Sequence, residues 1–272
     1  MGVAIIIPLY NQLHYTQLCL ESIARHTRHD IQLIVIDNAS SDGTAEYLAS
    51  LDDVTVIRNP TNLGCAGAWN QGVRAASRAE WLVILNNDVI VSPRWLTGLL
   101  EAATHWQLDI VCPAIREGDC DRDLAAYSAD FVSRMHSTIR RGAGLGVCFM
   151  VHRRVFEDIG GFDEAFHIGQ YEDMDFFLRA RRAHHRIGTV GRSFLHHFGA
   201  ITQRSMSRSQ PPIPYALQNR AYFIRKWKRN GWQWAWSRNR DRLMIWLHSR
   251  VERLLYRHTL IEKWLDGRLR YY

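Results

Sequence analysis

The 272 residues include only seven prolines and five cysteines, and what is scarce narrows the field before any motif is read. No C-x-x-C pair occurs among Cys19, Cys65, Cys112, Cys120 and Cys148, and an odd number of thiols cannot close a full disulfide set. Zinc ribbons and disulfide-stapled scaffolds are thereby excluded, and reduced thiols of a cytosolic protein are expected. No stretch approaches 18 consecutive apolar residues, so no membrane-spanning helix is expected. Met1 to Leu9 has no basic flank before its apolar run and reads as a strand, not an export signal. The glycine fingerprint of dinucleotide enzymes is also missing, because Pro8-Leu9-Tyr10-Asn11-Gln12 follows the first apolar run. Finally, acids are sparse late in the chain: residues 204–272 hold 4 of 27 Asp and Glu but 16 of 34 Lys and Arg, a net +12 against −5 for residues 1–203.

What is present alternates in period. Val3 to Ile7 is a continuous apolar run broken by Pro8, and Leu13 to His26 places apolar side chains at helical spacing. Ile31 to Ile36 is a second strand, ending in the turn-forming cluster Asp37-Asn38-Ala39-Ser40-Ser41-Asp42-Gly43-Thr44, which also caps a helix through Leu51. Val54 to Ile57, the small-residue helix Gly64 to Ala76, and Trp81 to Leu85 continue the series. This order predicts an α/β fold with a mostly parallel sheet, helices on both faces and right-handed crossovers. Ligands should gather above the carboxyl ends of the strands, where Tyr10-Asn11, Asp37 and Asn86-Asn87-Asp88 lie.

Three groups carry chemistry. One carboxylate flanked by two amides, Asn86-Asn87-Asp88, is a hard-oxygen cluster suited to Mg²⁺ or Mn²⁺, although Asn and Asp also favour turns. Three carboxylates lie within Tyr171-Glu172-Asp173-Met174-Asp175, either as general-base machinery or as acids opposing a helix macrodipole. Arg179 should pair with one of them. Gly142-Ala143-Gly144-Leu145-Gly146 marks either a close approach of backbone to another group or a tight turn.

Taken together, IIIPLYNQ, VIDNASSDGT, NPTNLGCAGAWNQG and ILNNDVIV, followed by GGFDEAF and YEDMDFFLRARR, resemble family 2 glycosyltransferases of the GT-A fold over roughly residues 3 to 202. The similarity is greatest to the rhamnosyltransferase-like branch that builds bacterial surface polysaccharides. The resemblance implies a metal-dependent, inverting transfer of a sugar from a UDP- or dTDP-sugar to a hydroxyl of a saccharide acceptor, lipid-linked in that branch, with Mn²⁺ or Mg²⁺ as cofactor. Asp37 then matches the aspartate that holds the pyrimidine ring, and Pro8 and Tyr10 border the base. Asn62, Gly64, Asn70, Asn86 and Asn87 fall on the nucleotide-sugar side. Asp88 matches the last acid of the D-x-D metal motif, whose first acid is replaced by Asn86. Asp173 matches the general base and Glu172 its acidic neighbour. His196, in the H-x-x-G pattern of Phe194 to Gly199, matches an imidazole that serves the metal or diphosphate, and the spacing selects it over His197. The donor sugar is open, since dTDP-rhamnose, UDP-galactose and UDP-N-acetylhexosamine all suit these motifs. The alternatives are a nucleotidyltransferase of related fold, disfavoured by the missing G-x-G-x-R loop, and a noncatalytic adaptor.

The chain divides near Arg204, where Ser205 to Pro212 reads as a linker: 1–203 is the GT-A domain and 204–272 a helical, Arg- and Trp-rich extension. From Leu243, apolar side chains recur at Leu247, Val251, Leu254, Ile261 and Leu265 beside Arg250, Arg253 and Arg257. Such a helix suits an anionic membrane surface, which would place the protein peripherally at the cytoplasmic face of a membrane. The same stripe could instead pack on the first domain or on a second copy in a homodimer. Nucleic acid is not expected, because the neighbouring domain is acidic.

Overall fold

The computed structural model describes residues 2–120, 123–142, 144–199, 201, 214–228, 231–265 and 268–270. The 205–212 linker and the 203/204 boundary lie outside the described residues, as do the side chains of Trp232, Trp234 and Trp236.

The order begins with β1 (Val3–Leu9), α1 (Leu13–His26), β2 (Ile31–Asp37), α2 (Thr44–Ala49), β3 (Thr55–Arg58), α3 (Gly64–Ala75) and β4 (Trp81–Leu85). β5 (Val89–Val91), α4 (Trp95–Trp106), β6 (Ile110–Gly118), α5 (Leu124–Met135), β7 (Ile139–Arg141), β8 (Cys148–His152) and α6 (Arg153–Ile159) follow. Then come α7 (Glu172–Arg182), β9 (Ile187–His197), α8 (Pro214–Lys226), α9 (Gly231–Tyr256), β10 (Ile261–Leu265) and β11 (Arg268–Arg270). One mixed sheet runs β11-β10-β6-β8-β4-β1-β2-β3, with β9 joining β5, β6 and β7. The parallel ladder expected from the alternating first half is present in β3, β2, β1 and β4; β8 enters antiparallel between β4 and β6.

Alternation along β1 builds two cores. Val3, Ile5, Ile7 and Leu9 face α1 and α4, whereas Ala4 and Ile6 face α3 and the Phe176-Phe177 pair of α7. The small residues of α3 have a steric reason, because a Cβ at Gly72 would collide with Ile6 and Ile36 beneath it. β1 also runs through Pro8, which was expected to break it. Pairing with β4 ends at Ile6 while pairing with β2 continues to Leu9, so one side of the strand needs no amide donor at its end. All five cysteines are free thiols. No helix among the described residues is long and apolar enough to cross a membrane.

The extension differs from the helical reading. α9 ends at Tyr256, and Ile261–Leu265 is a strand parallel to β6, with Ile261 opposite Ile115 and Trp264 opposite Gly118. β6 gives its first residues to β8 and then diverges, so β10 fills the vacated half of its edge. Side chains fasten the same region. Arg140 Nε and Nη2 donate to Glu252 at 2.8 and 2.6 Å with both side chains buried, and Tyr127 donates to the buried Glu262 at 2.6 Å. Lys226 and Trp227 Nε1 reach Asp175 at 2.7 and 3.0 Å.

Candidate active site

The parallel strands deliver their carboxyl ends to one cleft with a cavity volume of about 120 Å³. Pro8, Leu9 and Tyr10 enter from β1, Asn38 from the end of β2, Asn62, Gly64 and Cys65 from the start of α3, and Asn86, Asn87 and Asp88 from the end of β4. Ile168, Gly169 and Tyr215 close the other side. Seven of the residues expected on the nucleotide-sugar or metal side therefore line this cleft: Pro8, Tyr10, Asn62, Gly64, Asn86, Asn87 and Asp88.

Each has a local reason to be there. Asn62 accepts from Gly64 N at 2.8 Å and turns the chain into α3. Gly64 has φ +76°, and a Cβ there would meet the Ile168 backbone at 2.9 Å, so only glycine allows the 168 loop to close down. Asn87 Nδ2 donates to Thr16 Oγ1 at 3.0 Å, fixing the turn after β4 against α1.

Asp37 and Asn70 lie outside the cleft lining. Asp37 is fully buried; one oxygen accepts from Ser40 N at 2.8 Å and the other faces Arg58 Nε at 3.5 Å, while its neighbour Asn38 reaches the cleft. Asn70 spends its amide on Phe162 N and O at 2.8 and 2.9 Å and on Glu164 at 2.7 Å. It braces α3 against the 162–164 turn.

The adjacent histidines face differently from the sequence expectation. His197 Nε2 stands 3.4 Å from Asp88 Oδ2 and its Nδ1 3.6 Å from Glu117, which in turn meets Lys263 at 3.1 Å. His196 is fully buried, edge-on to Phe198 at 4.9 Å. The pairing of β5 with β9 decides this, because successive side chains of an extended strand point to opposite faces. Burial opposes charge on His197, but Asp88 and Glu117 outweigh it and raise its pKa to about 9. The His197 imidazole, 3.6 Å away, holds Glu117 down at about 2 despite partial burial.

The acids of α7 take separate tasks. Asp175 is fully buried and accepts from Arg179 Nε at 2.8 Å, the pairing expected for Arg179; with Lys226 and Trp227 on its other oxygen it anchors α8. Asp173 is half-buried, its Oδ1 accepting from Met174 N at 2.7 Å. Burial, reinforced by the charge of Asp173, pushes the Glu172 carboxyl up to about 8, and burial raises Asp173 as well. The glycine segment realises both of its readings: Gly142 takes φ +74°, and Gly146 lies so close to Asp173 Oδ2 that a side chain there would displace the carboxylate.

Cys65 ties the two halves together. Its thiol pKa is raised by burial and then by the charges of Glu172, Asp173 and Asp88, so acids from β4 and α7 both act on this residue of the cleft wall, although Glu172 and Asp173 do not themselves line the cleft. The donors at Asp88 fit a hard divalent cation that takes its remaining ligands from phosphate oxygens. A buried carboxylate stands with two amides beside it, and among the described residues no group of three His, Cys, Asp or Glu could hold a metal alone. Sequence reasoning missed Leu9, Asn38, Cys65, Ile168, Gly169, Tyr215 and the His197–Glu117 pair.

Comparison with known proteins agrees with this geometry. A Haemophilus influenzae uncharacterized glycosyltransferase is 34% identical over 182 residues, covering 65% of this chain and 60% of its own length. The N-acetylglucosaminyl-diphospho-decaprenol L-rhamnosyltransferase of Mycobacterium tuberculosis is 26% identical over 231 residues, 66% of this chain and 75% of that protein. An uncharacterized protein of Sinorhizobium fredii, y4gI, is 25% identical over 83% of this chain, which spans only 27% of that relative. Among solved structures, GalNAc-T7 with UDP, GalNAc and Mn²⁺ superposes with a TM-score of 0.60 at 17% identity, covering 73% of this chain and 44% of that one. Staphylococcus aureus TarS 1-349 in complex with UDP gives 0.58 at 17% identity, over 73% and 60%. Both share the GT-A fold. The family model described as glycosyl transferase family 2 matches residues 4–160, and to that family this chain belongs.

Proposed function

We propose that the chain is an inverting glycosyltransferase that moves a hexosyl or rhamnosyl unit from a UDP- or dTDP-sugar to a hydroxyl of a lipid-linked saccharide, as in bacterial surface polysaccharide synthesis. The observation that carries this reading is the cleft at the carboxyl ends of the parallel strands, lined by Tyr10, Asn62, Asn86, Asn87 and Asp88, with the Glu172 carboxyl just behind its Gly169 wall, 3.9 Å from where a side chain on that glycine would begin. The UDP bound by both structural neighbours and the lipid-linked substrate in the name of the mycobacterial relative support the substrate classes.

In this reading Pro8, Tyr10 and Asn38 border the nucleoside, with Asp37 shaping the turn behind them. Asn86, Asn87 and Asp88 face the diphosphate. A bound Mn²⁺ or Mg²⁺ would neutralise charge on the departing nucleotide. Asp173 accepts the acceptor hydroxyl's proton as the new bond forms on the face opposite the leaving group, so configuration inverts. Glu172, neutral at pH 7 when its pKa is about 8, spares Asp173 an adjacent anion.

Release of UDP or dTDP from a panel of nucleotide sugars, with Mn²⁺ and with chelator, tests class and donor together. Turnover of one donor is expected, falling at least tenfold in Asp88→Ala with its metal dependence lost. Full Mn²⁺ dependence in that variant would remove Asp88 from the metal role, and no turnover of any donor would overturn the reading.

The peripheral location at the cytoplasmic membrane face has its own support. α9 packs inward through Ser249 and Glu252, and its opposite side leaves Leu243, Met244, Leu247, Val251, Leu254 and Leu255 exposed. Leu254 is 84% exposed, and Arg250 stacks on Trp246 at 4.8 Å beside this strip. Among the described residues, the α9 part of the apolar stripe is thus left exposed, whereas Ile261 packs against the core. The basic flank of the exposed strip complements anionic lipid, each nearby Lys or Arg contributing about 1 kcal/mol. Leu247→Glu with Leu254→Glu should abolish sedimentation with phosphatidylglycerol vesicles while leaving donor release unchanged. If those substitutions instead convert a dimer to a monomer, a second copy covers the strip and the membrane reading is wrong.

A further inference from the structure

We propose that the Tyr215 hydroxyl is a specificity-determining contact, reading a hydroxyl of the transferred sugar beside the carboxyl of Glu172. The inference rests on the glycosyl-transfer reading above and goes beyond it by assigning recognition of the sugar to a residue outside the family-matched segment 4–160.

Two buried polar atoms point to it. Tyr215 is 9% exposed and lines the cleft, yet among the described residues its hydroxyl has no hydrogen-bond partner. Glu172 is 4% exposed, and its Oε2 likewise has none among them. Buried polar atoms are nearly always bonded, so one such atom lining the cleft and a second just behind its wall mark places where a ligand's polar groups belong. Gly169 links them, because it lines the cleft with Tyr215 and a side chain built on it would lie 3.9 Å from Glu172 Oε1.

The position of Tyr215 is held by the helix that carries it. Tyr215, Asn219 and Phe223 recur at four-residue spacing and form the buried face of α8. Asn219 Nδ2 donates to the carbonyls of His167, Gly169 and Gln170 at 2.9, 2.8 and 3.2 Å, and its Oδ1 accepts from His167 N at 3.0 Å. This clamps a loop in which Ile168, Gln170 and Tyr171 all take positive φ, an expensive conformation for side-chain-bearing residues. The same helix face therefore shapes the 168–169 wall and presents the phenol beside it.

The chemistry selects a sugar hydroxyl over the other parts of a nucleotide sugar. The phenol stays protonated, its pKa raised by burial and by the nearby Cys65 and Glu172. A neutral carboxyl and a neutral phenol both donate and accept, which matches an alcohol. A phosphate asks for cations, and this wall offers acids. The nucleoside end is bordered by Pro8, Tyr10 and Asn38, on the strands across the cleft.

Tyr215→Phe removes one oxygen and keeps the ring. With the donor found by the release panel, kcat/KM is expected to fall tenfold or more while affinity for the free nucleoside diphosphate stays within twofold. The unaltered protein, tested with monodeoxy versions of that donor, should show one analogue with a penalty of similar size, and Tyr215→Phe should erase that penalty. Equal loss of nucleoside diphosphate affinity would make Tyr215 a nucleotide contact and overturn the assignment. So would unchanged kcat/KM in the variant, or no penalty for any deoxy donor on the unaltered protein, a result that needs no substitution to fold. An unaltered protein that releases nucleotide from no donor overturns the transfer reading and this one with it.

Discussion

Asp173→Asn is expected to reduce sugar transfer by about 10²-fold or more, the usual contribution of a positioned general base, with nucleotide affinity unchanged within about twofold. The split follows from position. Asp173 sits on α7 and Asp88 follows β4, so the substitution removes an acceptor of protons without touching the turn after β4. Gly146→Ala should give the same signature by a different route, because the added methyl displaces the Asp173 carboxylate while leaving its charge in place. The pH dependence has a definite sign. Burial raises Asp173, so its base form is lost on acidification at a higher pH than for an ordinary aspartate, and the acid limb of kcat moves toward neutrality. Glu172 acts on stability in the opposite sense. Its folded pKa of about 8 lies above that of the unfolded chain, so its contribution is complete below the unfolded value and declines as pH rises toward 8. Glu172→Gln, which mimics the protonated acid, should flatten that decline in thermal melts. If Asp173→Asn loses nucleotide binding in step with transfer, Asp173 is structural.

The second large effect is on folding. Glu252→Ala should cost roughly 3–5 kcal/mol, because it leaves the Arg140 guanidinium buried without its partner. For a chain of this size that is a fall of roughly 6–20 °C in Tm. The geometry is bidentate, at 2.8 and 2.6 Å, and Glu252 Oε2 also accepts from Leu260 N at 3.0 Å just before β10. Arg140→Leu combined with Glu252→Leu should recover most of the loss, since no charge is then stranded. A single variant melting within 1 °C of the parent would contradict burial of the pair. By the same reasoning a chain ended at residue 203 is expected to be insoluble or unfolded. Without α8, α9 and β10, Arg140 loses its buried partner, the buried Asp175 loses Lys226 and Trp227, and half the edge of β6 is left open.

The legible parts of this protein were those in which local pattern and long-range position coincide. Val3 to Leu85 alternates strand and helix, and a parallel sheet must put the ends of its strands on one side, so the clustering of Tyr10, Asn62 and Asp88 could be read directly. Arg179 was legible as the partner of a nearby acid because i,i+4 spacing on a helix makes it a neighbour. Other features depended on register. Which of His196 and His197 meets Asp88 is decided by pairing between β5 and β9, more than a hundred residues apart, and one step of slip exchanges them. Asn70 has the residue type of a ligand contact, and nothing local shows that Phe162 and Glu164 consume its amide. Ile261 and Leu265 fit a helix by their spacing, but Ile-Glu-Lys-Trp-Leu is too short a run to separate the two periods, and the vacant edge of β6 settles it. Tyr215 carried no signal beyond being an aromatic near a proline.

The pairing of β10 with β6 also sets a timetable for synthesis. Ile115 leaves the ribosome about 146 residues before its partner Ile261. At 5–20 residues per second the second half of β6 waits roughly 7–30 s with its outer edge uncovered. During that interval the nascent chain offers Ile115 to Gly118 as a template on which another copy's strand could dock, and high expression multiplies the encounters. Slower production at low temperature, or coexpression with a chaperone that shelters nascent strands, should therefore raise the soluble yield more than any change of buffer applied after release.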